Sequence, residues 1–117
     1  MGSPFDYSLC NQTVTLYRLT PQGIDRYVAE NAWYNYQVVQ LLDELGARQE
    51  TVFSLILPGE YILQPGDRVY DGVGPEVSLS GWTGFLPVHI PGLAQVQYVR
   101  PCYFGGEQCH TEAGRKA

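Results

Sequence analysis

A chain of 117 residues with 44% hydrophobic side chains and a formal net charge of −5 is the size of one domain closed around a single core. Its seven Lys and Arg are scattered, which excludes a protein that wraps nucleic acid, because that requires clustered cations to displace counterions from phosphates. Nine Tyr, 13 Gly and eight Pro favour strands joined by tight turns over a helical bundle.

Residues 1–11 show no sustained periodicity and read as an N-terminal arm. Residues 13–18 then alternate, with Val14 and Leu16 on one face and Thr13, Thr15 and Tyr17 on the other, the pattern of a half-buried strand. Pro21-Gln22-Gly23 supplies a turn into a second strand over residues 24–33, so the first two strands are predicted as an antiparallel hairpin. Past Trp33 the period changes. Val38, Leu41, Leu42 and Leu45 fall at helical spacing, Asn35 suits an N-cap and Gly46 a stop, and residues 36–45 are predicted as a short helix.

Residues 52–57 are apolar at almost every position and end at Pro58-Gly59, which predicts a central strand buried on both faces. A short strand over 61–63 leads into Pro65-Gly66-Asp67, where proline presets the first turn dihedral and glycine admits the positive one, and residues 68–70 leave as the next strand. Reversals at Asp71-Gly72 and Gly74-Pro75 precede a strand over 76–79, an irregular segment around Trp82 and Phe85, and a last strand over 95–100. About seven strands at short spacing predict a mostly β fold, a small antiparallel β barrel with one short inserted helix. The barrel would span residues 12–104, with 105–117 as a C-terminal tail.

Chemistry-bearing motifs are absent. Ser54, Ser78 and Ser80 lack a glycine elbow, and His89 and His110 are the only imidazoles, so no catalytic residues are assigned and the chain is not expected to be an enzyme. Cys102, Cys109 and His110, with Cys10 as a conceivable fourth ligand, do not match a zinc spacing, and neither metal nor cofactor is expected. Asp43 and Glu44 read as a solvated face, and Gly72 and Gly74 lack the Lys-Ser/Thr of a phosphate cradle. Trp33, Trp82 and Phe85 are candidate partner-surface aromatics, because aromatic side chains are enriched at interfaces. No apolar run is long enough to span a bilayer, no charged region followed by an apolar stretch opens the chain, and an odd cysteine count suits a reduced cytosolic setting.

Several segments together carry a family resemblance. These are the opening Thr13-Val-Thr-Leu-Tyr-Arg18, the second strand ending in Ala32-Trp33-Tyr34, a helix-bearing loop, and a returning strand over 52–58. Leu63-Gln-Pro-Gly-Asp-Arg-Val-Tyr-Asp-Gly72 and Pro75-Glu-Val-Ser-Leu-Ser-Gly81 continue it. In this order of elements, over residues 12–104, the chain resembles the head-tail joining proteins (stopper, head-completion or minor capsid proteins) of long-tailed bacteriophages and prophages.

The resemblance implies a β barrel that assembles with copies of itself as a ring, beneath the portal or adaptor protein and against the tail-terminator or tail-tube protein. DNA would pass through the channel without sequence-specific binding. It implies a virion protein of the head-tail junction, assembled in the bacterial cytoplasm, with no membrane partner. The loop over residues 35–50 would project toward the channel, making Tyr36, Val38, Leu41, Leu42, Asp43, Glu44, Leu45, Arg48 and Glu50 the candidate channel-loop or subunit-interface residues. Asp43, Glu44 and Glu50 outnumber Arg48 there, which discourages DNA from adhering to the wall. Two alternatives stand beside this one: a tail-terminator or adaptor component, and a small ligand-binding β barrel with Trp33, Trp82 and several tyrosines lining a pocket.

Overall fold

A computed structural model describes residues 6–116; residues 1–5 of the predicted N-terminal arm and the last residue of the predicted tail lie outside the described residues. The chain is mostly β. Its strands are β1 (Gln12–Thr20), β2 (Gly23–Asp43), β3 (Gly46–Pro58), β4 (Arg68–Asp71), β5 (Leu93–Gln95), β6 (Tyr98–Phe104) and β7 (Glu107–Arg115), with a 3-10 turn at Trp82–Gly84. They form one seven-stranded antiparallel sheet in the order β5-β4-β1-β2-β3-β7-β6.

The 21-residue strand β2 organises the sheet. Its first part, up to Ala32, pairs with β1, and its second part, from Trp33, pairs with β3. At the changeover the register slips between Gln12 and Val14, and Asn31 takes a positive φ of 59°. Asparagine tolerates that conformation better than most side chains, and the irregularity bends the strand so that the two halves of the sheet turn toward each other. Val14, Leu16, Ala29, Val69 and Ala94 from one half meet Tyr34, Phe53, Leu55, Leu57 and Ala113 from the other in the main core. Burial pushes the Tyr34 phenol far above its usual pKa, and its hydroxyl donates across the core to the Gly92 carbonyl at 3.2 Å.

The predicted barrel is not closed by a ladder. The edge strands β5 and β6 are joined only through Val96 and Gln97, which bond elsewhere: Val96 N–H to the Asp67 carbonyl (2.8 Å), Gly66 N–H to the Val96 carbonyl (2.8 Å) and Gln97 N–H to the Gly114 carbonyl (2.9 Å). These cross-links hold the ends of the sheet near one another without a seam of paired strands.

Strand β1 is buried on both faces. Val14 and Leu16 enter the main core, while Tyr17 packs on the outer face with Trp82, Phe85 and Leu93. The segment after β4 lies over that face and is tied down by polar bonds. Thr15 Oγ1 donates to the Gly72 carbonyl and accepts from the Gly74 N–H, both at 2.8 Å, and the Tyr17 hydroxyl donates to the Pro75 carbonyl at 2.6 Å. The strands predicted over 61–63 and 76–79 do not form. After residue 76 the backbone is taken up by a turn in which the Gly81 N–H bonds both the carbonyl and the Oγ of Ser78, the local competition through which serine favours turns.

Two further expectations are corrected. The helix over residues 36–45 is absent: the segment is extended and continues β2, with Asn35, the expected N-cap, opposite Ser54 and Asp43 opposite Gly46. Tyr34, Tyr36, Val38 and Val39 favour extended backbone, and a long ladder to β3 satisfies every second peptide group that a short unsupported helix would leave frayed. Residues 107–115, expected within a tail, form β7 between β3 and β6. Its buried residues, His110, Thr111, Ala113 and Gly114, are small or polar, so the strand carries no apolar alternation. Gly114 is required by the close approach of its neighbours: a Cβ there would lie 2.5 Å from the Phe53 carbonyl oxygen and 2.6 Å from the Tyr98 hydroxyl. Gly114→Ala is therefore expected to lower stability by about 2 kcal/mol, read as a reduced urea midpoint with an unchanged m-value.

Candidate functional site

Strand β7 pairs with β3 only from Phe53 to Pro58, and β1 leaves β2 at Ala32. From Gln37 opposite Val52 to Asp43 opposite Gly46, β2 and β3 therefore run on as a two-stranded ribbon with no third strand. At about 3.4 Å per residue it reaches roughly 20 Å beyond the sheet. The turn at its tip is built locally: the Leu45 N–H donates to the Asp43 Oδ1 at 2.8 Å, and Gly46 takes a φ of +113° that other residues resist.

The predicted loop residues sort onto two faces because opposite residues in an antiparallel pair share a face. Tyr36, opposite Phe53, still packs against the core, and the same face continues outward through Val38, opposite Thr51, to Leu42, opposite Ala47. Val38 is 51% exposed and shares a hollow with Leu86, Pro87 and Val88, while Leu42 is 85% exposed and Leu45, at the tip, 98%. The other face carries Leu41 opposite Arg48 and Val39 opposite Glu50. There the Arg48 guanidinium lies 3.5 Å from Asp43 and 3.8 Å from Glu50, exposed pairs that contribute little to stability, while Glu44 stands exposed at the tip. Val38, Leu41, Leu42 and Leu45 thus do not form the single apolar stripe that helical spacing predicts.

The aromatic residues divide. Trp33 is half-buried opposite Ile56, but Trp82 and Phe85, expected on a partner surface, are buried in the cluster under the loop that follows β4. Large exposed rings occur instead at Tyr27, Tyr103 and Phe104.

Comparison with known proteins finds no family model, no curated protein and no solved structure that matches the chain. Among the described residues no helix is long and apolar enough to cross a membrane.

Two further sites emerge from the tertiary structure. A cleft of about 840 Å³ lies between β1, the first half of β2 and residues 58–63, with Leu16, Tyr27, Pro58, Tyr61 and Ile62 among its walls. Of its charged groups, Arg18 and Asp67 are engaged with each other, and Arg26 donates to the Gly74 carbonyl. Arg18 grips Asp67 through Nε (3.1 Å) and Nη2 (2.8 Å), and Asp67 also accepts the Gln64 N–H at 2.9 Å. Trp33 and Trp82 do not line this cleft.

The second site gathers Cys102, His110 and Glu112 on one face of the β6–β7 hairpin, their ligand atoms all within 4.8 Å of one another. Cys102 stands opposite His110, and Arg100 opposite Glu112. The Arg100 guanidinium holds the Glu112 carboxyl below the usual glutamate range. Cys109, grouped with Cys102 and His110 by sequence proximity, is the neighbour of His110 along β7 and its thiol turns to the Glu107 carbonyl at 3.8 Å. Glu112 was not legible as a member of the cluster, although a Cys, a His and a Glu at i and i+2 on adjacent strands is a signal that correct strand assignment would have exposed.

Proposed function

We propose that this chain is a structural subunit of a phage head-tail joint, assembling with copies of itself into a ring between the portal or adaptor and the tail. The observation that carries the reading is the apolar-tipped ribbon over residues 37–52. A two-stranded ribbon is marginally stable by itself in water, and exposed leucines at its end favour a protein partner.

The occupant proposed for that surface is a neighbouring copy. The ribbon tip precedes β3 and the cleft at Pro58-Gly59 follows it, so an apolar projection and an apolar-walled recess lie at opposite ends of one strand. Such a head-to-tail contact uses two different patches, and repeated around an axis it closes a ring. Asp43, Glu44 and Glu50 against the single Arg48 supply an acidic surface that disfavours DNA adhesion, in keeping with passage of DNA without sequence-specific binding. The resemblance in element order noted above is the source of the specific location in the virion. The ligand-binding alternative has less support, because Arg18 and Asp67 in the cleft are already paired with each other.

The test is deletion of the gene from a phage or prophage that carries it, followed by electron microscopy and nuclease protection of the lysate. Separate tails beside tailless heads that have lost their DNA are expected. DNA-filled heads without tails would move the assignment to a tail-terminator or other tail-side component, and normal infectious particles would overturn it.

A further inference from the structure

The β6–β7 hairpin brings together three side chains of a kind that binds metal, with their ligand atoms all within 4.8 Å of one another. His110 is 4% exposed. Its Nδ1 lies 2.7 Å from the Tyr7 hydroxyl, and its Nε2 lies 3.4 Å from Glu112 Oε1. A separation of 3.4 Å matches the spacing of two ligands on one tetrahedral ion, which for zinc bond lengths is about 3.3–3.7 Å.

The rest of the surroundings fit the same chemistry. Cys102 presents its thiol from the strand opposite, within 4.8 Å of both other ligand atoms, and rotation of its side chain by about an ångström would complete the triangle. Arg100 engages Oε2 of Glu112 through Nε at 2.9 Å and through Nη2, which leaves Oε1 turned toward His110. Tyr7 on the distal ring nitrogen and Arg100 on the distal carboxylate oxygen are the outer partners that orient metal ligands. Thiolate, imidazole and carboxylate together select zinc and its neighbours over magnesium or calcium.

We propose that Cys102, His110 and Glu112 bind one divalent transition-metal ion of the zinc class, with water in the fourth position. The thiolate and the carboxylate balance the charge of the ion, and the thiol proton leaves to solvent on binding. The ion would clamp β6, the terminal strand of the sheet, to β7 and, through Tyr7, to the segment before β1. This proposal is independent of the role in a virion.

The test uses the full chain, stripped with chelator and titrated with Co²⁺. Saturation at one equivalent is expected, with a thiolate-to-cobalt charge-transfer band in the near ultraviolet and the strong visible bands of a four-coordinate site, all displaced by Zn²⁺. Cys102→Ser should abolish the charge-transfer band, Cys109→Ser should leave it unchanged, and Tyr7→Phe should weaken binding roughly tenfold. As a measurement that needs no variant, one equivalent of Zn²⁺ should protect a single thiol from alkylation, identified as Cys102 by peptide mass spectrometry. Absence of the band, its persistence in Cys102→Ser, or protection of Cys109 in place of Cys102 would each overturn the proposal.

Discussion

Leu42→Asp combined with Leu45→Asp is expected to abolish assembly while leaving the folded subunit intact. Among the described residues the two side chains are 85% and 98% exposed, so the folding free energy should change by no more than about 0.5 kcal/mol. In an assembled ring the same side chains would be covered. Burial of one leucine contributes about 1.5–3 kcal/mol, so loss of two weakens each contact by about 3 kcal/mol or more, a hundredfold or greater change in association. The introduced carboxylates add a desolvation cost in the same direction. Analytical ultracentrifugation gives the oligomeric state, circular dichroism the fold, and plaque counts the ability of the variant to complement a deletion. A double variant that assembles and complements like the parent would rule out the ribbon tip as the contact.

Arg68→Ala should cause the largest loss of stability, about 3–5 kcal/mol. Arg68 is 7% exposed, and among the described residues no carboxylate forms an ion pair with it. Its guanidinium stacks on Trp82 at 3.7 Å, and Nη1 donates to the carbonyls of Trp82 (2.6 Å) and Phe85 (2.5 Å), while Nε has no partner. Burial lowers its pKa, but an arginine remains protonated, so the side chain fixes a positive charge under the loop that follows β4. Truncation leaves a cavity beneath Trp82 and takes the donor from the Phe85 carbonyl, while the Trp82 carbonyl keeps the Phe85 N–H at 3.2 Å. Arg68→Met keeps the bulk and removes the cost of the buried charge, so it should lose less, about 1–3 kcal/mol, with the orphaned Phe85 carbonyl as the remaining penalty. Urea denaturation orders the three proteins, and a red-shifted tryptophan emission in Arg68→Ala reports the release of Trp82. A methionine variant as stable as the parent would show that the two carbonyl bonds only offset the desolvation of the guanidinium.

The candidate surface was partly legible before the fold was known. Residues 36–50 stand out because their apolar content does not fit the hairpin pattern around them, and they are the segment that leaves the body of the sheet. Their conformation was misread because Val38, Leu41, Leu42 and Leu45 satisfy helical spacing, whereas Val38 and Leu42 equally satisfy strand alternation and Leu45 occupies a turn. Periodicity cannot choose between these over so few residues; the ladder to residues 46–53 does. Trp82 and Phe85 were misplaced for a related reason. Composition marks an aromatic as an anchor but does not say whether its own chain or another covers it, and here Tyr17, Arg68 and Leu93 do so.

Local rules were enough wherever the determining interactions are local. Residues 13–18 and 52–57 lie in strands as expected and Pro65-Gly66 turns with the Asp67 N–H bonded to the Gln64 carbonyl at 3.1 Å, although β1, expected half-buried, is covered on both faces and β3, expected buried on both, exposes Ser54. A mostly β, antiparallel chain follows from turn chemistry and side-chain shape, which act within a few residues. Tertiary structure alone decided that β2 bends to serve two partners, that residues 107–115 fill the place between β3 and β6, and that Cys102, His110 and Glu112 share a face. Each of these depends on pairing between segments far apart in the chain. β7 shows why the sequence could not announce it: Gly114 is required because Phe53 and Tyr98 crowd it, a constraint that exists only after those distant residues have come into place.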